Sequence, residues 1–261
     1  MAAYLDTILE AHRATAAADT RDEKYVLDEA LAAPPVRPFV AALTESSAPV
    51  AVISEIKRRS PSKGDLDLAL DPAEVAASYE RGGAACLSVL TDPQFFGGSP
   101  EDLGAARSAC SLPVLRKDFT VSVLDVYDAR RMGADAVLLI AAALSDDELA
   151  GFLEAAERCY LAALVEVHDD EELARALAAG AQLIGVNQRD LHTIEVDPQR
   201  ALRLGAAIPP GVVSVAESGI RDAADVAALG GAGYRAVLVG EMLVRAGDRS
   251  GAVAELLGAV Q

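Results

Sequence analysis

Six short segments hold the groups that could move protons in this chain. Glu55-Ile56-Lys57 sets a carboxylate and an ammonium two residues apart, so in an extended strand both face one side. Arg116-Lys117-Asp118-Phe119, Glu166, Asn187 with Arg189, Glu217-Ser218-Gly219 and Gly240-Glu241 complete the set. An apolar pocket holding both signs of charge keeps a lysine protonated beside a carboxylate, and so holds a matched acid and base. One charged group at a strand end means little, because strand ends are exposed and collect charge. Two lysines with three glutamates, all in register at the ends of apolar strands, are harder to dismiss.

The use of cations sharpens this reading. Of 23 basic residues only Lys24, Lys57, Lys63 and Lys117 are lysine. Where arginine is the default, lysine is placed for what arginine cannot do, which is to act as a compact acid of tunable pKa. Gly219 and Gly240 each precede a helical stretch, where backbone N–H groups can approach an anion, and Ser60 adds a hydroxyl donor. Phe96, Phe119 and Leu191 stand just beyond strand ends and suit a flat apolar substrate portion in a chain with 4% aromatics.

The elements that must position these groups follow from the apolar pattern. Eight short apolar runs recur at residues 49–57, 84–90, 112–117, 135–140, 161–167, 182–187, 211–218 and 235–241. Their spacing is that of one strand, one helix and two loops, and runs apolar on both faces suit a buried parallel sheet. Helices are expected to start at Asp71-Pro72, Ser99-Pro100 and Ser145 and to end at Gly82, Gly133, Gly180 and Gly230. The expected fold is α/β: a single (β/α)8 TIM barrel over 49–261, carrying the catalytic groups at the C-terminal ends of its strands. Residues 1–48 are expected to form an N-terminal helical extension packed on the barrel, with LDTILEAHRATAAA as its helix and PPVRPF as a stiff link, and to serve as a structural cap before a lid. A doubly wound open sheet is the competing fold, weakened by the lack of a GxGxxG after the first strand.

Composition bounds the partners. A formal net charge of −17 repels nucleic acid and anionic membranes, so an anionic ligand must meet local positive charge. No run approaches a membrane span, and the N-terminus lacks a signal-peptide pattern, which gives the expectation of a soluble, cytoplasmic protein, with a monomer favoured. Cys86, Cys110 and Cys159 form no CxxC pair, and His12, His168 and His192 are scattered, so a metal site would need carboxylates alone and none is expected.

EIKRRSPSKG, LTDPQFFGGS, PVLRKDF, ALVEVH, GVNQRDL, VAESGI and LVGEML together resemble the strand-end motifs of indole-3-glycerol phosphate synthase, in order and across essentially the whole chain. The N-terminal LDTILEAHR resembles that family's leading helix. The resemblance implies ring closure of 1-(2-carboxyphenylamino)-1-deoxyribulose 5-phosphate with loss of CO2 and water, without a cofactor. It implies Lys117 as the acid that protonates the substrate carbonyl and Lys57 as the ligand of the benzoate carboxylate and an acid in dehydration. Glu166 is then the partner acid or base, and Glu55 orients the lysines. Asn187, Arg189, Glu217 and Ser218 would position the sugar and the developing indole, Ser60, Gly219 and Gly240 the phosphate, and Phe96, Phe119 and Leu191 the ring. Ser54, Gln188 and Glu241 depart from the residues usual in the family, and Glu241 is expected to point away from the phosphate. Competing readings are another phosphate-binding barrel such as phosphoribosylanthranilate isomerase, whose expected cysteine and aspartate at strand ends are missing, and a non-catalytic barrel, which would have lost Lys117 or Glu166.

Overall fold

The computed structural model describes residues 4–60, 63–191 and 193–258. Pro61 and Ser62 of the SPSKG motif, His192, and the ends of the chain at 1–3 and 259–261 lie outside the described residues.

Each apolar run forms a strand. These are β1 (Ala51–Ile56), β4 (Cys86–Leu90), β5 (Val114–Lys117), β6 (Ala136–Ile140), β7 (Ala162–Val167), β8 (Leu183–Asn187), β9 (Val213–Glu217) and β10 (Ala236–Val239). Between β1 and β4, β2 (Arg59–Ser60) and β3 (Gly64–Asp65) pair as a small antiparallel hairpin in what reads from sequence as a plain loop. The eight long strands close into a parallel barrel, β1 pairing with β4 through Ile53 and Cys86 and with β10 through Ala51 and Ala236. Closure leaves no unpaired edge, and burial on both faces explains why the strands read as continuous apolar runs. Fully buried Ile53, Leu87, Leu115, Leu139 and Leu164 each contribute about 1.5–3 kcal/mol by leaving water.

The outer helices are α4 (Pro72–Arg81), α5 (Pro100–Ala109), α6 (Val123–Arg131), α7 (Asp146–Arg158), α8 (Asp170–Ala178), α9 (Pro198–Gly205), α10 (Ala223–Gly231), α11 (Glu241–Arg245) and α12 (Arg249–Leu256). The three expected starts are N-caps: Asp71 accepts from Ala73 and Glu74, Ser99 from Asp102, and Ser145 forms a capping box with Glu148. Two expected stops are displaced. The left-handed turns fall at Gly83 and Gly233, while Gly82 keeps a right-handed helical backbone and Gly230 lies within α10.

The segment before β1 holds three helices where one was expected: α1 (Tyr4–Ala18), α2 (Glu23–Ala32) and α3 (Phe39–Thr44). The link between α2 and α3 leaves α2 in extended backbone at Ala33. It is fastened by Arg37, which donates to the carbonyls of Leu112 and Arg107, and by Arg130, which donates to that of Ala33. Helix α3 buries Phe39 and Leu43 and packs on β1 and β4, with the Cys86 thiol donating to the Phe39 carbonyl at the start of β4. Among the described residues no helix is long and apolar enough to cross a membrane.

Candidate active site

The C-terminal strand ends converge on one cavity of about 420 Å³. Strand alternation fixes which side chains enter it. In β5, Leu115 and Lys117 face inward, so Arg116 turns out to Asp118, 3.0 Å away. Glu55 and Lys57 enter from β1, Glu166 from β7, Asn187 from β8 and Glu217 from β9. Beyond Glu217 the chain leaves its strand through left-handed Ser218 and Gly219, at φ of 66° and 73°. Gln188, one of the departures, donates to the Ser218 carbonyl at 2.7 Å and so holds that bend.

Lys117 is the centre of the polar cluster. Its Nζ lies 2.7 Å from Glu166 Oε2 and 3.0 Å from Glu217 Oε2, with both carboxylates buried. Glu166 Oε1 accepts from Asn187 Nδ2 at 3.1 Å, and Asn187 Oδ1 accepts from the Arg189 N–H at 3.0 Å. Lys57 Nζ lies 2.5 Å from Glu55 Oε1. Burial disfavours the charge on Lys117, but Glu166, Glu217 and Glu55 outweigh it and hold the ammonium protonated well above the usual range. Burial likewise works against the Glu166 anion, and Lys117 with His168 overcomes it, leaving that carboxylate well below its ordinary value. Glu217 goes the other way. Burial and then the neighbouring Glu166 and Glu55 raise it despite Lys117, and its Oε1 has no hydrogen-bond partner among the described residues. Two carboxylates on one lysine are thus driven apart, one anionic and one that takes up a proton more readily.

All fifteen residues expected at the site line this cavity: Glu55, Lys57, Ser60, Phe96, Lys117, Phe119, Glu166, Asn187, Arg189, Leu191, Glu217, Ser218, Gly219, Gly240 and Glu241. Some reasons differ from those expected. Gly240 has φ of −120° and caps α11, but the room a Cβ would need is taken by the Glu55 carboxylate, with Lys57 Nζ 3.2 Å away. Its glycine makes space for the Glu55–Lys57 pair. The Arg189 guanidinium is spent on the Ile194 carbonyl at 2.9 Å and steadies the loop after β8. Glu241 contributes to the lining, with its carboxylate 3.7 Å from Arg245 Nε. The Ser60 hydroxyl is buried without a partner among the described residues. Phe96 and Phe119 meet at 6.2 Å and 37°, an apolar wall for a flat ring.

Sequence reasoning missed the contribution of α1, which is more than a cap. Leu5 and Ile8 line the cavity, and His12 reaches the barrel rim, its Nε2 3.0 Å from Asp92 Oδ2 and its ring 5.4 Å from Phe119. The helical spacing of Leu5 and Ile8 carried that signal; the partner of His12 did not, being 80 residues away. Arg221 and Arg245 were also missed. The expectation that a metal could meet only carboxylates is corrected, since His12 gathers with Asp92 and Asp118. That trio is already engaged: Asp92 accepts from the Phe95 and Phe96 N–H groups, and Asp118 from Arg116 and Thr91.

A closed (β/α)8 barrel whose strand ends set lysines against glutamates in an apolar cavity defines an acid–base enzyme of the TIM-barrel class. The family model described as indole-3-glycerol phosphate synthase matches residues 5–256. Indole-3-glycerol phosphate synthase of Mycobacteroides abscessus is 50% identical over 257 residues, spanning 98% of this chain and 94% of the relative. That of Mycolicibacterium smegmatis is 50% identical over 99% of this chain and 95% of its own length, and indole-3-glycerol phosphate synthase 2 of Streptomyces coelicolor 51% identical over 91% and 92%. The chain belongs to the indole-3-glycerol phosphate synthase family, carboxy-lyases of tryptophan biosynthesis that act on a phosphorylated substrate. Among solved structures, 3-hexulose-6-phosphate synthase superposes with a TM-score of 0.62 at 19% identity, over 81% of this chain and 100% of that one. Thiamine phosphate pyrophosphorylase from Pyrococcus furiosus gives 0.62 at 17%, over 81% and 96%. At such identity the likeness is one of fold.

Proposed function

We propose that Lys117 is the general acid of ring closure and that Glu166 is its partner. The observation that carries this is the 2.7 Å contact between Lys117 Nζ and the buried Glu166 carboxylate. When the ring carbon bearing the carboxylate attacks the ribulose carbonyl carbon, the carbonyl π electrons move to oxygen, which takes a proton from Lys117. The ring has then lost its aromaticity, and the electrons of the departing carboxylate restore it as CO2 leaves. Dehydration follows: the new hydroxyl leaves as water with a proton from Lys57, and the adjacent methylene gives its proton to a carboxylate, for which Glu166 is the assignment. Over the cycle the protein donates two protons and takes back one, and solvent supplies the remaining proton, which the reaction consumes because the substrate's carboxylate leaves as neutral CO2.

The remaining assignments rest on the same geometry. Glu55 holds Lys57 toward the substrate carboxylate, and Asn187 and Arg189 keep Glu166 and its loop in place. Glu217 and Ser218 face the sugar and the developing indole. Phe96, Phe119 and Leu191 hold the aromatic ring, while Ser60, Gly219 and Gly240 receive the phosphate and the Glu241 carboxylate stays with Arg245, away from it. Residues 1–48 act as an extension on the catalytic barrel of 49–261. One chain supplies every group invoked, which supports a monomer as the working unit, to be checked by sedimentation, and a cytoplasmic location is proposed by analogy with the family.

The test is turnover of 1-(2-carboxyphenylamino)-1-deoxyribulose 5-phosphate followed by indole fluorescence. Lys117→Ala should lower kcat by roughly two to four orders of magnitude, the scale of general acid catalysis. Near-normal kcat in that variant would move the acid role to Lys57.

A further inference from the structure

One buried ionisable side chain beside the reacting cluster has no part in the roles above. His168 follows β7 directly, its ring 9% exposed, with Nδ1 2.9 Å from Glu172 Oε2 and Nε2 3.4 Å from Glu166 Oε1. Glu172 is the third residue of α8. Its own N–H donates to Asp169, and its Oε2 also accepts from the His168 N–H at 2.8 Å, so the carboxylate is fixed by the helix cap as well as by the ring.

We propose that His168 is a positioning residue for the reaction, an imidazolium clamped between Glu166 and Glu172 that fixes the orientation of the Glu166 carboxylate and keeps it unprotonated. The proposal rests on the reading of Lys117 and Glu166 as the acid–base pair. A carboxylate offers no hydrogen, so the Glu172 contact requires a proton on Nδ1. In a neutral ring Nε2 would then turn its lone pair toward Glu166 Oε1, two acceptors facing each other in a buried site. A second proton turns that repulsion into attraction. Burial opposes the charge, but the carboxylates of Glu166 and Glu172 outweigh it and lift His168 to about 9.

The groups facing this ring and its partner come from five elements: Glu166 on β7, Glu172 on α8, Lys117 on β5, Asn187 on β8 and Glu217 on β9. Lys117 holds Oε2 of Glu166 and Asn187 donates to Oε1, while His168 Nε2, buried and without a hydrogen-bond partner among the described residues, faces Oε1 at 3.4 Å as an ion-pair neighbour. A carboxylate gripped on both oxygens cannot rotate and is a poor proton acceptor until a donor moves away, which is what a base that must wait for the second step requires. The charges also close. The cations Lys57, Lys117 and His168 face the anions Glu55, Glu166 and Glu172, leaving Glu217 free to be the protonated member.

The test uses the full chain labelled with 15N-histidine, whose three imidazoles are told apart by their loss in single variants. At about pH 7 both ring nitrogens of His168 should carry the imidazolium signature, and Glu172→Gln should lower its midpoint by about one unit or more, one unit being a tenfold change in proton affinity. His168→Gln, which can still donate to Glu166 but carries no charge, should lower kcat about ten- to a hundredfold with KM changed less than about threefold, as for other groups that orient a reacting side chain. Loss of the cation raises Glu166, so a new acid limb should enter the kcat profile of His168→Gln. A neutral His168 ring at that pH, or a slower His168→Gln enzyme with the parent pH profile, overturns the proposal. Should His168→Gln fail to fold, Glu172→Gln carries the same prediction without touching β7. The nitrogen shifts need no turnover, so they separate failure of this proposal from failure of the Lys117 assignment.

Discussion

Glu55 and Gly240 share one space: the carboxylate at the end of β1 occupies the volume that a Cβ on residue 240 would fill. The prediction for Gly240→Ala is therefore displacement of the Glu55–Lys57 pair, since the listener to the clash is a side chain held 2.5 Å from its lysine. Overpacking of this kind costs about 1–3 kcal/mol. It should lower kcat for the substrate by a larger factor than it raises Ki for a shortened, phosphate-only inhibitor. A crystal structure of the variant with Glu55 unmoved and kcat unchanged would contradict it.

Glu217 supplies a stability prediction with a definite sign. Its folded pKa is raised above the unfolded value, so the folded state binds the extra proton, and stability falls as pH climbs from the unfolded value through the folded one. Glu217→Gln removes that loss. Melting temperature relative to the parent should be higher at about pH 8 than at about pH 5, by roughly 2–4 °C if the linkage is about 1 kcal/mol. Turnover should fall in the same variant, because the carboxyl oxygen that accepts from Lys117 Nζ at 3.0 Å shares its place with an amide NH2 that can only donate. Parallel melting curves at both pH values would contradict the assignment.

How much of this could be read from the chain is visible in particular residues. Lys57, Lys117, Glu166 and Glu217 were legible because each ends an apolar run whose spacing betrays a barrel, and alternation then dictates the face. Helices α2 and α3 were not, because PPVRPF breaks the pattern and their apolar faces are explained only by what they cover, α6 for one and the starts of β1 and β4 for the other. His12 and His168 were illegible for a related reason. A lone histidine declares nothing until the fold brings it a carboxylate, and for His12 that partner is 80 residues away. Gly240 was found for its position but misread in its cause, since the neighbour that excludes a side chain there belongs to the opposite end of the sequence.

His12 joins α1 to the barrel rim, and its titration should be felt in stability. Burial opposes its charge, but Asp92 and Asp118 prevail and raise its pKa. The stabilisation is thus present in full below the unfolded value and lost as pH rises through the folded one. His12→Ala should cost about 1 kcal/mol at about pH 6 and less at about pH 9. Because Leu5 and Ile8 are carried on the same helix, KM should rise severalfold while kcat changes less. Urea unfolding at the two pH values, paired with steady-state kinetics, measures both, and an equal cost at each pH would exclude the ion pair.

Asp135 holds the other end of the extension and offers a change that should leave chemistry alone. This buried carboxylate, just before β6, accepts from the Arg37 N–H at 2.6 Å, the Val114 N–H at 2.8 Å and Arg107 Nη2 at 2.8 Å. Arg107 in turn donates to the Pro35 carbonyl, so one side chain ties the link between α2 and α3 to two barrel strands. Asp135→Asn keeps one good acceptor and turns an NH2 toward donors, and the partly exposed Arg107 loses its counter-charge. The expected loss is about 1–3 kcal/mol, the usual cost of leaving buried hydrogen-bonding groups unsatisfied. Asp135 does not line the catalytic cavity, so kcat at a temperature where the variant is folded should stay within about twofold of the parent, a difference of under 1 kcal/mol in barrier. A large fall in kcat with unchanged unfolding free energy would show that the clamp acts on the strand ends and not on the extension.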